Sequence, residues 1–239
     1  MKPVLCISQE RGDDGGLAIP ALEAAGIPVL IRDAWKDESA WPALDDLCGV
    51  IAFGGSMNVD ETEAHPFLKV ERDLVREVLG RGLPFLGICL GAQLLARACD
   101  EPVVPAPSRT LGFTAAYPTD AGRADVLASV FEEGAMTFHW HEDTFVLPKG
   151  ATLLVAGADG SVQVYRQGSA AWGVVFHPEV TGPELQTWFD STGRGAIAST
   201  WGVHPDDLQP DIERHLPRHE ARGRGLFERF ARVLEAHAR

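Results

Sequence analysis

Residues 83–98 read LPFLGICLGAQLLARA. An apolar run, Leu83 to Leu86, leads into Gly87-Ile88-Cys89-Leu90-Gly91, and a helix-forming run from Ala92 to Ala98 follows without a break. This is the spacing of a strand, a sharp turn bearing a nucleophile, and a helix, with glycines where the backbone approaches itself. Such a turn lifts its central side chain above the sheet edge. The following helix directs its first amides and the positive end of its dipole at that side chain. For a cysteine this field favours the thiolate, which is the attacking form. Alone, the pentapeptide also fits a buried structural cysteine, since free cysteine is among the most buried residue types. Gln93 adds to the pattern: it is polar amid Ala92, Leu94, Leu95 and Ala96, and needs a partner that a ligand can supply.

The flanking sequence predicts an α/β fold. Residues 3–8 read as a short buried strand, followed by a turn with Gly12, Gly15 and Gly16, a helix over 17–25 ended by Gly26, and a strand over 28–31. Strand, helix and strand in that order imply a parallel sheet. Residues 35–47 are mixed, with Trp35, Trp41, Leu44 and Leu47 expected inward. A third strand, 48–53, stops at Gly54-Gly55, where backbone amides can turn outward as an anion nest. Phe67, Leu68, Leu74, Val75, Val78 and Leu79 recur at helical spacing, with Pro66 suited to the start and Gly80 to the stop. Prolines between 102 and 118 suggest a loop with short strands, and 136–145 (MTFHWHEDTF) follows neither period. Runs at 152–156, 162–165 and 171–176 read as strands. Helices are expected over 182–189, from 205 with breaks at Pro210 and Pro217, and over 226–236. The expectation is a mostly parallel central sheet with helices on both faces, flavodoxin-like, plus a small β extension, all in one domain spanning 1–239.

Composition excludes several classes. A formal charge of −13 argues against a nucleic-acid surface, which needs a basic stripe. The N-terminus MKPVLCISQE has no signal-peptide core, and no apolar run is long enough for a membrane span. The four cysteines, Cys6, Cys48, Cys89 and Cys99, fall at no metal-ligand spacing. A cytoplasmic location with reduced thiols is expected, with neither cofactor nor metal. His139 and His141 alternate on an extended segment without a third ligand at a persuasive spacing. His215 and His219 are four apart, but Pro217 between them is expected to spoil the helical face.

A thiolate nucleophile needs a base, a group that orients the base, and donors for the oxyanion. The run Ala171 to Phe176 delivers His177 to the end of a strand, at the sheet edge where the Cys89 turn lies. Glu179, two residues on, projects the same way in extended backbone and can fix the imidazole tautomer. The expected oxyanion donors are the backbone amides of Leu90, next to the nucleophile, and of Gly55 in the diglycine loop.

These residues carry a resemblance. Gly87-Ile88-Cys89-Leu90-Gly91-Ala92-Gln93, with Phe176-His177-Pro178-Glu179 downstream and Gly54-Gly55 upstream, resembles the class I, triad-type glutamine amidotransferases. VIAFGGSMNV at 50–59 and HWHEDTFVLP at 139–148 are most similar to stand-alone members related to the amidotransferase domain of GMP synthase. The resemblance implies that Cys89 attacks the side-chain amide of glutamine and that His177 serves as base and then acid, oriented by Glu179. It also implies that Gln93 and the segment His139-Trp140-His141 bind the substrate. Two stretches depart from the family pattern. Cys99-Asp100-Glu101-Pro102-Val103 lacks the usual Gly-Gly turn, and Thr110-Leu111-Gly112 stands where Glu-x-Gly is usual. The sequence contains no Ser-Gly-Gly-x-Asp-Ser loop of the synthetase partner domain, so GMP synthesis by this chain alone is not expected.

Three readings follow. One is a glutaminase that passes ammonia to a separate synthase or acceptor enzyme. Another is a γ-glutamyl peptidase or hydrolase using the same three residues. The third is a catalytically silent binding module, which the intact set of residues argues against.

Overall fold

The computed structural model describes residues 1–12, 14–36 and 41–238. Its nine strands form one sheet in the order β2-β1-β3-β4-β9-β8-β7-β5-β6. In chain order these are β1 (Val4–Ser8), β2 (Val29–Asp33), β3 (Gly49–Ala52), β4 (Phe85–Ile88), β5 (Val103–Pro118), β6 (Ala135–Phe145), β7 (Thr152–Gly157), β8 (Val162–Gln167) and β9 (Ala171–Val174). The helices are α1 (Ala18–Ala24), α2 (Phe67–Arg81), α3 (Leu90–Ala98), α4 (Asp120–Ala124), α5 (Gly182–Thr192), α6 (Arg194–Trp201) and α7 (Gln209–His237).

The half running β2-β1-β3-β4-β9 is parallel throughout, in the flavodoxin-like order. Alternate residues of its strands feed opposite faces, as the period of two requires. Val4, Cys6, Ile51, Leu86, Ile88, Trp172 and Val174 pack with α1 and the C-terminal half of α7. Leu5, Ile7, Val50, Ala52 and Phe85 pack with α2 and α3. Helices therefore cover both faces. The β extension comprises four antiparallel strands, β8, β7, β5 and β6, continuous with the parallel half through the β8–β9 pairing.

Several sequence expectations need correction. The proline-rich segment 102–118 forms one strand, β5, with a register shift between Pro105 and Thr110 on β6. Its other edge pairs with β7 only over Ala116 to Pro118, so Pro105 and Pro107 take no donor from a ladder on that side. The segment 136–145 is β6. The stop of α2 is Gly82, in the left-handed region at φ 64°, and the helix runs through Gly80. Helix α6 was not anticipated.

Pro217 does not break α7, which continues for 29 residues. Ile212 and Leu216 anchor it before the proline on a third apolar cluster, and Leu226 to Leu234 anchor it beyond on the main core. Burial on both sides outweighs the one backbone bond that proline forfeits. His215 and His219 thus lie on one continuous helix. Of the mixed stretch 35–47, residues 37–40 lie outside the described residues, as does Asp13 in the glycine-rich turn. Leu44 and Leu47 are buried, and Trp35 and Trp41 half-buried. No helix among the described residues is long and apolar enough to cross a membrane.

Candidate active site

Four parallel strands end at one place. Gln9 follows β1, Gly54 and Gly55 follow β3, Cys89 follows β4, and His177 follows β9 by a short extension. In an open parallel sheet the crevice beyond the carboxyl ends, where strand order reverses, is where ligands bind. Here the order reverses between β1 and β3. A cleft of about 830 Å³, lined by Met1, Lys2, Leu44, Cys48 and Arg81 among others, lies at the opposite end of the strands.

Cys89 caps α3 in an unusual conformation, φ 49° and ψ −106°. A non-glycine residue at positive φ stores strain on the order of 1–3 kcal/mol and persists only where its surroundings hold it. They do so on both sides. The Cys89 amide donates to Val174 O at 2.8 Å, the Gly91 amide donates to Phe53 O at 3.2 Å, and the Ala92 amide donates to Cys89 O at 3.0 Å. The flanking glycines are required by contact. A β-carbon on Gly91 would lie 2.1 Å from Ala52 O, and one on Gly87 would lie 2.3 Å from Gly91 O. Since both obstacles are backbone, Gly91→Ala is expected to destabilise the fold by at least about 3 kcal/mol, read as a lowered urea midpoint. A variant with the wild-type midpoint would show that the turn is looser than this packing implies.

The structure brings Cys89, His177 and Glu179 together. His177 Nδ1 lies 2.8 Å from Glu179 Oε1, both side chains being buried. Gly54 packs against both Cys89 and the ring: a β-carbon there would sit 2.9 Å from His177 Cε1 and 3.4 Å from Cys89 Cβ. Burial opposes charge on the His177 ring, but the Glu179 carboxylate and the Cys89 sulfur outweigh it and raise its pKa well above the usual imidazole value. The main chain of this segment is held from three sides. His177 N donates to Phe138 O at 2.9 Å, Leu17 N donates to Glu179 O at 2.8 Å, and His219 Nε2 bonds His177 O at 2.7 Å. Gly223 of α7 passes so close that a β-carbon would lie 2.0 Å from Pro178 O.

A side chain lifted above the sheet edge is expected to be exposed, and for Cys89 that expectation is corrected. The turn does not leave it open to solvent: it is 5% exposed, its Sγ lying 3.9 Å from the Trp140 carbonyl of β6. The antiparallel half of the sheet folds over the elbow, which a local motif cannot report.

The other predicted residues distribute as follows. Gly55 and Leu90 are neighbours, a β-carbon on Gly55 lying 2.9 Å from Leu90 Cδ2. Leu90 opens α3, where first-turn amides lack an intrahelical partner. Gln93 is buried one turn further along the same helix. His139 and His141 lie on β6 beside the crevice, and Trp140 contributes its carbonyl. Thr137 Oγ1 donates to Thr114 O at 3.2 Å and so accepts from His139 Nε2 at 2.9 Å. His139 Nδ1 then accepts from His141 Nε2 at 3.1 Å. Both rings are neutral: burial, with like charges nearby, holds His139 well below the usual value, and burial first takes His141 to about 4. With both nitrogens engaged, His139 has no lone pair for a metal. No group of three or more ligands that could hold a metal ion occurs among the described residues.

Sequence reasoning missed three neighbours. The Trp188 ring of α5 meets His177 edge-on with centroids 5.1 Å apart, His219 reaches the His177 carbonyl, and Glu71 of α2 bonds Gln9. Glu71 had a readable signal, because it interrupts the apolar stripe Phe67, Leu68, Leu74, Val75 and Val78 at core spacing. Trp188 and His219 had none, since their elements reach the site only through tertiary packing.

A flavodoxin-like sheet with a strained cysteine elbow beside a histidine–carboxylate pair defines a class of α/β proteins with a cysteine at the strand–helix turn. The family model described as "Glutamine amidotransferase class-I" matches residues 20–190. This chain belongs to the class I glutamine amidotransferase family. It is similar to the "Putative glutamine amidotransferase-like protein YfeJ" of Salmonella typhimurium, 25% identical over 73% of this chain and 74% of that one. It is also similar to the glutamine-hydrolyzing GMP synthase of Porphyromonas gingivalis, 32% identical over 57% of this chain but only 26% of the synthase. The crystal structure of a glutamine amidotransferase from Thermotoga maritima superposes with a TM-score of 0.85 at 27% identity, covering 96% of this chain and 98% of that one.

Proposed function

We propose that the protein hydrolyses the side-chain amide of glutamine through a Cys89 γ-glutamyl thioester. The observation that carries this reading is the His177–Glu179 pair, closed at 2.8 Å, with the Cys89 sulfur of the strained elbow against the His177 ring. In this mechanism the attacking form is the Cys89 thiolate, facing a protonated His177. The sulfur attacks the amide carbon, the carbonyl electrons move onto oxygen, and the amides of Gly55 and Leu90 receive the oxyanion. As the tetrahedral species collapses, the C–N bond breaks and His177 gives its proton to the departing nitrogen, which leaves as ammonia. Water then attacks the thioester with neutral His177 as base, and glutamate and the Cys89 thiolate are released. Glu179 holds the ring in the required tautomer throughout. Gln93 and the His139-Trp140-His141 segment hold the α-amino and α-carboxyl end of the substrate.

In this reading residues 1–239 act as one domain in the cytoplasm without a cofactor, and the ammonia passes to a separate acceptor enzyme. The synthase reaction of the Porphyromonas gingivalis relative is not assigned to this chain, which matches a quarter of that protein. Turnover of the isolated chain is expected to be slow, because closure of such sites is completed by docking of the acceptor.

The test is glutamate release from glutamine and from γ-glutamyl dipeptides, compared by kcat/KM. Glutamine is expected to be the better substrate. A preference for dipeptides above about tenfold, a transition-state difference of about 1.4 kcal/mol, would install the γ-glutamyl peptidase instead. Release from neither, with glutamine still bound, would leave a binding module.

A further inference from the structure

Glu71 is fully buried on the core face of α2. An acid there destabilises the fold unless it is paired. The partner it has is Gln9, whose Nε2 donates to Glu71 Oε1 at 2.6 Å. Gln9 is itself fully buried, and Gln9 Oε1 and Glu71 Oε2 each lack a partner among the described residues. Charged groups on the surrounding elements are engaged elsewhere. Arg97 of α3 and Arg72 of α2 face Asp60, Arg76 faces Asp73 and Asp100, and Asp143 of β6 accepts from Asn58. Tyr165 donates its hydroxyl to Ala92 O of α3, and Glu10 accepts from Ser56. Burial therefore takes the Glu71 pKa up to about 8, against the Gln9 bond, and the acid is neutral at pH 7. A proton on Glu71 supplies the donor that the two stranded oxygens need. Ionisation leaves two desolvated acceptors and a buried charge.

This pair lies beneath the diglycine loop. A β-carbon on Gly55 would sit 2.8 Å from Gln9 Cβ, so Gln9 is the floor on which Gly55 rests. Glu10 grips the next residue, accepting from Ser56 Oγ at 2.6 Å and from the Ser56 amide at 3.3 Å. Gly55 has no side chain with which to anchor itself. Gln9 Cβ, Met57 Sδ and Leu90 Cδ2 bound the space at its α-carbon, and of these Gln9 is held by Glu71.

We propose that Glu71, acting through its hydrogen bond to Gln9, is a positioning residue for the oxyanion loop at Gly55. This rests on the reading above in which the Gly55 amide receives the oxyanion.

The test compares pH profiles of kcat for the wild type and Glu71→Gln. Glutamine keeps the size, a donor and an acceptor but cannot ionise, so kcat at pH 7 is expected to stay within about threefold of wild type. Between pH 7 and 9 the neutral fraction of an acid of pKa about 8 falls about tenfold, so the ratio of variant to wild-type kcat rises about tenfold. Taking the ratio cancels the alkaline limb that His177 contributes to both proteins. Glu71→Leu removes the bond altogether and is expected to lower kcat and kcat/KM together by more than about tenfold, with KM little changed. A flat ratio from pH 7 to 9 overturns the proposal, as does a Glu71→Leu enzyme with wild-type kcat. Should Glu71→Leu not fold, the ratio alone decides. Cys89→Ala measured alongside separates the two levels. Turnover surviving in that variant sinks the reading of the site, whereas a flat ratio with full dependence on Cys89 sinks only the role of Glu71.

Discussion

Cys89→Ala is expected to abolish glutamate release, a loss of at least about 10⁴-fold in kcat, and to abolish covalent labelling by an electrophilic glutamine analogue. No other thiol is placed to substitute. Cys6 and Cys48 are buried, and Cys99 is half-buried near the end of α3. Burial pushes the Cys48 thiol up, and burial with the neighbouring Asp100 does the same at Cys99, so both remain protonated at pH 7. Cys89 has a different environment: the head of a helix, a histidine beside it and a conformation held under strain. Because it is only 5% exposed, its reactivity requires a reagent shaped to enter the crevice. A small unselective alkylator should reach the more open Cys99 as well. Mass spectrometry of the labelled chain reads the outcome directly. Label retained in Cys89→Ala, or turnover retained without the sulfur, means that the nucleophile lies elsewhere.

The second large effect separates His177 from Glu179. In the proposed reaction His177 moves the protons in both half-reactions, while Glu179 orients the ring and stabilises its charge. His177→Ala should remove turnover to the limit of detection. Glu179→Gln should leave a remnant about 10–100-fold above it, the spread seen when an orienting carboxylate and a base are removed separately. A sign accompanies the magnitude. The Glu179 carboxylate is the largest of the influences that raise the His177 pKa against its burial. Without that charge the imidazolium is lost at lower pH, so the alkaline limb of kcat should move acidward in Glu179→Gln. An unmoved limb, or equal and small losses in both variants, would place the base elsewhere. His141 is the next candidate, because its Nδ1 has no hydrogen-bond partner among the described residues.

How much of this was legible in the sequence varies by element. The parallel strands β1, β3, β4 and β9 were readable because each is a continuous apolar run bounded by turn residues and buried on both faces, while the edge strand β2 is partly exposed. The elbow was readable because its demands are local: glycines at 87 and 91 follow from backbone contact within the strand–turn–helix unit and with the adjacent strand. Strand β5 was not, since prolines 105 and 107 are judged as breakers until the unpaired edge and the bulge are known. Pro217 misled for a related reason. The two apolar clusters that hold α7 across it are assembled from distant segments.

By itself the sequence determined the class of fold and the family, and it singled out Cys89, His177 and Glu179 as candidates, because strand periodicity, turn sterics and the His-x-Glu spacing act over a few residues. Only the tertiary structure decided what surrounds them. It laid β6 over the elbow and took Cys89 out of solvent, made His139 and His141 a neutral hydrogen-bonded pair, and brought His219 of α7 to the His177 carbonyl. It also stacked Glu71, Gln9 and Gly55 beneath the site, from helix α2 and the ends of strands β1 and β3. Hydrogen bonds and burial between segments as far apart as Gln9 and Glu71 leave no periodic trace in a chain, and they set the protonation of buried groups only once the core has closed around them.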